Sequence, residues 1–211
     1  MAASTVFSGV KITWLGHSSV MLEADGLVFY VDPYVLPPGS KTADAILYTH
    51  GHFDHAAPAP SITKSTTITI GHNVKLPVRS IEIGGREKLG GVIVEAVHAY
   101  NLARPMHPRD AGAGYIIAFK TARVYVAGDT DFIPEMKGYK CDIAIVPISA
   151  AYTMDELQAA DAIAAMMPKV AIPYHYGYLT EAKGDPEKFK AAIDAKTGGK
   201  VDVRILVPSS R

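Results

Sequence analysis

Between Tyr48 and Ala56 the chain carries three histidines and an aspartate in six consecutive residues, His50-Gly51-His52-Phe53-Asp54-His55. So dense a cluster of lone-pair donors constrains the fold, because it must lie where something compensates it. Neutral imidazole is the usual protein ligand for a divalent transition metal. His50 and His52 lie two apart, so in an extended segment both point to one side. Asp54 and His55 follow where a turn would aim them at a neighbouring position. One short loop can thus serve two adjacent metals; the competing reading is a polar loop with scattered histidines.

The rest of the chain supplies partners. Four apolar or β-branched runs read as strands that end in a ligand-type residue: Ala45 to Tyr48 before the histidine loop, Val92 to Val97 before His98, Arg123 to Ala127 before Gly128-Asp129, and Val170 to Ile172 before Pro173-Tyr174-His175. Further strands are expected at Val10–Trp14, Val20–Glu23, Leu27–Val31, Thr66–Ile70, Val78–Ile83, Tyr115–Lys120, Asp142–Val146 and Val201–Val207, with Asp25-Gly26 as a hairpin turn. Thr153 and Glu156 fit a capping box ahead of a helix over Asp155 to Met167, with Leu157, Ala160, Ala164 and Met167 on one face. Asp185-Pro186 starts a last helix with Phe189 and Ile193 on one face. Pro58 and Pro60 leave little room for helix after the histidine loop. Strands in runs and few, late helices suggest an α+β or β-rich layered domain.

Size and charge narrow the class. A chain of 211 residues, 48% hydrophobic, is expected to be one domain spanning 1–211 with a sizeable core. With 21 basic and 21 acidic residues it lacks the electrostatic footprint of a nucleic-acid binder. Cys141 is the only cysteine, so no internal disulfide forms. No signal peptide or spanning helix is expected, and the cytoplasm is the default compartment.

The histidine stretch resembles the HxHxDH signature of the metallo-β-lactamase superfamily. Trp14-Leu15-Gly16-His17-Ser18-Ser19, Val31-Asp32-Pro33 and Tyr152-Thr153-Met154-Asp155 are similar to segments of its compact metal-dependent hydrolases, a branch that includes ascorbate-6-phosphate lactonase-like proteins. The resemblance implies a four-layer αββα sandwich with a dinuclear metal site at one edge. It implies His50, His52 and His98 as ligands of one metal, Asp54, His55 and His175 as ligands of the other, and Asp129 as the bridge. On that reading the dinuclear site requires His98 and His175 to converge with the rest. The antibiotic-hydrolysing enzymes typically carry a cysteine where Asp129 stands. The chain departs from the pattern at Ala56-Ala57-Pro58, which replaces a run into a helix, and in the loop after His98.

The expected chemistry is hydrolysis of an ester or lactone of a small molecule by a hydroxide shared between two divalent ions, Zn²⁺ first, with Mn²⁺ or Fe²⁺ as alternatives. Asp54 would bind metal and orient the nucleophile. A phosphodiesterase of the same fold and a non-catalytic metal-binding protein are the alternatives, and a homo-oligomer is compatible with the sequence. His17 reads equally well as a catalytic or ligand-supporting residue and as a structural one. His72 and His107 read as loop histidines; His107 is a candidate substrate contact because its loop follows His98. That loop, Ala99 to Gly114, is long enough to be functional.

Overall fold

The computed structural model describes residues 3–209. Two seven-stranded sheets pack face to face. In the first, β1 (Ser4–Phe7), β2 (Val10–Gly16), β3 (Ser19–Ala24), β4 (Leu27–Val31), β5 (Ala45–Tyr48), β6 (Ile68–Gly71) and β7 (Arg79–Ser80) lie side by side in chain order. The second holds β8 (Arg86–Leu89), β9 (Val92–Ala99), β10 (Gly112–Ala118), β11 (Arg123–Val126), β12 (Ile143–Pro147), β13 (Val170–Tyr174) and β14 (Asp202–Val203), again in chain order. Each sheet begins with four antiparallel strands and continues with parallel ones, so the second repeats the plan of the first. No short-period repeat in the sequence signals this.

Alternation on the pleat builds the core. Val10, Ile12 and Trp14 of β2 and Ala45 and Leu47 of β5 meet Val92, Val94 and Ala96 of β9 and Tyr115 and Ile117 of β10 between the sheets. The opposite face of the second sheet is covered by α1 (Glu156–Met166) and α2 (Pro186–Thr197). The outer face of the first sheet is closed instead by loops and a single 3₁₀ turn, Pro60–Ile62, whose Ile62 packs beside Tyr30, Ile46 and Tyr48. The αββα plan therefore holds, with one helical layer reduced to a turn where Pro58 and Pro60 interrupt the chain.

Local expectations fared unevenly. Asp25 and Gly26 make the two-residue turn between β3 and β4, both at positive φ. α2 starts as read, with Asp185 accepting from Glu187 and Lys188 N–H. For α1, Asp155 rather than Thr153 is the cap: its carboxylate accepts from Gln158 N–H, while the Thr153 hydroxyl bonds Ser149. The buried face is Ala159, Ala160, Ala162, Ile163 and Met166; Leu157 and Met167 are about half exposed. A low-contrast, alanine-rich helix let the expected stripe rotate by a residue. The strand expected at Val78–Ile83 shrinks to β7, and that at Val201–Val207 to β14. β1 and β8 were not anticipated, being short edge strands of mixed polarity. Asp155→Ala is expected to cost about 1 kcal/mol in a urea titration; a change under a few tenths would remove Asp155 as the cap.

Candidate metal centre

Both parallel stretches point their C-terminal ends at one edge, where ligands gather in open sheets. The loop after β5 brings His50, His52, Asp54 and His55. The turn after β11 brings Asp129, and His175 follows β13 directly. Gly128 sits at φ 67° with the Ala113 carbonyl 3.0 Å from where a Cβ would stand, so glycine alone turns the chain there. His17, Asp32 and His175 all hold left-handed backbone, at φ 47°, 47° and 62°. Side chains other than glycine avoid that region unless their surroundings impose it, and such strain gathers at functional sites.

Two ligand sets share one carboxylate. In the first, His50 Nε2 lies 2.9 Å from His52 Nδ1, and His107 Nε2 lies 3.1 Å from the same His52 atom and 3.4 Å from Asp129 Oδ2. In the second, His55 Nε2 is 3.1 Å from His175 Nε2, and Asp129 Oδ1 is 3.3 and 3.1 Å from these two nitrogens. Asp54 Oδ2 lies 3.8 Å from both His55 and His175 Nε2 and 2.8 Å from His17 Nε2. Asp129 thus turns one oxygen to each set.

His98 is not there. Six of the seven expected ligands converge, in the groupings His50, His52, His107; His17, Asp54, His175; and His50, His55, Asp129. The dinuclear site as written with His98 therefore fails its own requirement; His107 lies beside His50 and His52 instead, and a two-ion reading has to rest on His107. The reason is strand pairing. β9 continues past His98, which faces Ala113 in the ladder while Ala99 faces Gly112. The His98 ring meets Asp110 Oδ1 at 3.1 Å and Arg109 at 3.4 Å. The loop then folds back on itself: Asn101 N–H donates to the His107 carbonyl, and Asn101 Oδ1 faces both His107 N–H and Nδ1. Asn101 is held in turn by Asp131 Oδ1 at 3.2 Å and the Tyr152 carbonyl at 3.0 Å. The length of the loop was legible; that His107 within it would join His50 and His52 was not.

Asp32, fully buried, accepts from Thr49 N–H at 2.8 Å, Thr49 Oγ1 at 2.6 Å and His55 Nδ1 at 2.7 Å. Such a carboxylate fixes the tautomer and leaves Nε2 bare toward the centre. The Val31-Asp32-Pro33 motif was visible, but its partner lies 23 residues on.

The donor set fits a cation. With its Nδ1 proton on Asn101, His107 presents a lone pair from Nε2, and His50, whose Nδ1 faces Thr49 Oγ1 at 3.0 Å, presents another. Both approach His52 Nδ1, which has at most one proton to offer, so one close contact is lone pair against lone pair without a cation. Asp129 Oδ1 is buried with no hydrogen-bond donor. Burial alone would raise the Asp129 carboxyl, but His175 and His55 hold it well below the usual carboxylate range. Burial disfavours charge on His55, yet Asp129 and then Asp32 push it well above an ordinary imidazole. Burial, aided by the charge of His55, lowers His50, and burial brings His175 down to about 4. Burial thus favours the uncharged, lone-pair-bearing form of His50, His107 and His175, the form a cation needs.

Comparison with known proteins agrees with this geometry. Residues 11–175 match the family model for the Beta-lactamase superfamily domain. A UPF0173 metal-dependent hydrolase of Methanopyrus kandleri is 33% identical, covering 94% of this chain and 97% of its own length; one from Pyrobaculum calidifontis is 35% identical, covering 92% and 96%. A crystal structure from Parabacteroides distasonis superposes with a TM-score of 0.85 at 35% identity, covering 98% of this chain and 99% of that one. Igni18, a metallo hydrolase of Ignicoccus hospitalis, superposes with a TM-score of 0.78 at 29% identity, covering 94% and 95%.

Proposed function

The chain belongs to the Beta-lactamase superfamily and, within it, to the UPF0173 metal-dependent hydrolases, and from that premise we propose that it cleaves an ester or lactone bond of a small molecule at a centre of two divalent ions. The observation that carries this reading is Asp129, whose two oxygens lie 3.4 Å from His107 and 3.1–3.3 Å from His175 and His55, and which lines a cavity of about 390 Å³, a volume suited to a small molecule. His50, His52 and His107 would hold one ion, Asp54, His55 and His175 the other, with Asp129 between them. Zn²⁺ suits these donors best, and Mn²⁺ or Fe²⁺ are the alternatives. Such ions supply Lewis acidity toward the attacked carbonyl and lower the pKa of a bound water to about 7.

The protein's own groups do the positioning. Asp32 and Asn101 orient His55 and His107 by holding their Nδ1 atoms. His17 bonds Asp54 and stands with it in the cavity wall, so it fixes that carboxylate toward a nucleophile. Burial would raise the Asp54 carboxyl, but the His17 hydrogen bond and the charge of His55 hold it below the usual carboxylate range. The cytoplasm is the default compartment for a chain whose single cysteine, Cys141, has no disulfide partner. Among the described residues no helix is long and apolar enough to cross a membrane.

The test is metal removal and return. Dialysis against dipicolinate is expected to abolish hydrolysis of a panel of esters, lactones and phosphodiesters, and Zn²⁺ or Mn²⁺ to restore it for esters or lactones. Activity surviving complete metal removal would sink the metal-assisted mechanism.

A further inference from the structure

The walls of the same cavity select its substrate, and the inference rests on the ester or lactone reading above. Beyond the ligands, His17 and His107, the lining is mainly apolar: Phe53, Met106, Ala151, Tyr152, Leu179 and Ala182. Phe53, Met106 and Tyr152 are among the few large apolar side chains left exposed, at 71%, 44% and 47%. Tyr34, Phe53 and Tyr178 extend this surface around His17, with neighbouring ring centroids 5.8–6.2 Å apart. Exposed apolar groups concentrated at a cavity mouth mark a binding surface.

Charge is as informative. Among the described residues no lysine or arginine lines the cavity, and the carboxylate there outside the ligand sets is Glu181. The nearby arginines are engaged. Arg104 donates to the carbonyls of Ala151 and Thr153 at 3.0 and 3.1 Å. Arg109 is paired with Glu135 at 2.9 Å and stacked over Tyr100. The charge of bound ions acts on the reacting group; the walls act on the rest of the substrate. A phosphate or carboxylate on an arm lying in this cavity would lose water beside Glu181; Arg104, the cation bordering the Met106, Ala151 and Tyr152 wall, lies in the adjoining cavity with its Nη1 turned onto two backbone carbonyls.

We propose that the substrate is an uncharged ester or lactone bearing an apolar acyl arm that lies against Phe53, Met106, Tyr152 and Leu179, and that Glu181 discriminates against anionic arms. Each methylene buried there is expected to raise affinity about fourfold. This makes a phosphorylated lactone or a phosphodiester a poor substrate.

The experiment uses Zn²⁺-loaded protein with 4-nitrophenyl butanoate and 4-nitrophenyl hemisuccinate, acyl groups of matched length differing in a terminal carboxylate, each normalised to its hydroxide rate. The kcat/KM is expected to favour butanoate by about tenfold or more. Glu181→Lys should narrow that ratio at least about threefold by improving hemisuccinate, since removing like charge acts at short range. Met106→Ser should lower the ratio of butanoate to 4-nitrophenyl acetate kcat/KM about fivefold. Glu181 is exposed and Met106 nearly half so, and neither change threatens the core. Equal or better turnover of hemisuccinate overturns the substrate class and leaves the ester reading standing. Cleavage of bis(4-nitrophenyl) phosphate with neither ester touched overturns the ester reading itself, and this inference with it.

Discussion

Asp129→Ala is expected to strip more metal from the protein than His50→Ala and to lower kcat by on the order of 10³-fold, the loss of several kcal/mol of charge stabilisation. His50 is a neutral donor beside His52 and His107, and it also neighbours His55 and Asp129. Its removal still leaves Asp54, His55 and His175 to hold an ion. Asp129 faces both sets, with Oδ1 at 3.1 Å from His175 and Oδ2 at 3.4 Å from His107, and it brings negative charge between two proposed dications. Without it each set loses a ligand and the ions repel each other less screened. Asp129→Asn separates the contributions, because the amide keeps an oxygen but not the charge. The measurement is metal per chain by mass spectrometry on samples matched by circular dichroism. If Asp129→Ala and His50→Ala each lose a single ion, Asp129 is no bridge, and the sets must be redrawn as independent sites or one.

The second large effect separates two histidines that the sequence ranks in the wrong order. His107→Ala is expected to reduce bound metal from about two ions per chain toward one and to cut activity by about 10³-fold, whereas His98→Ala should leave both nearly unchanged. His107 is buried among ligands and tied to Asn101, so nothing else can fill its position. The His98 side chain is one quarter exposed, and its partners are Asp110 and Arg109 outside the ligand sets. A surface change of this kind typically alters stability by no more than about 0.5 kcal/mol. Retention of full metal by His107→Ala together with loss in His98→Ala would show that the loop rearranges on metal binding and would restore His98 as the ligand.

What was legible in the sequence was local. Four donors within six residues need only one turn of backbone to meet, so His50, His52, Asp54 and His55 were readable as a unit. Asp129 and His175 were readable because each closely follows an apolar run read as a strand; that these strands run parallel and deliver their C-terminal ends to the same edge was decided by the fold. The Asp25-Gly26 turn and the Asp185-Pro186 helix start are likewise decided by φ preference and side-chain capping within a few residues. Tertiary structure decided the rest. His98 sits at the apparent end of a strand, but pairing with β10 carries the ladder past it and commits its side chain there. His107 reaches the site because a loop is bent back through Asn101, whose own anchors, Asp131 and the Tyr152 carbonyl, lie 30 and 51 residues away. Asp32 is joined to His55 across two adjacent strands. Backbone geometry determines neighbours a few residues apart, whereas a ligand on a long loop is chosen by hydrogen bonds that exist only once the sheets have assembled.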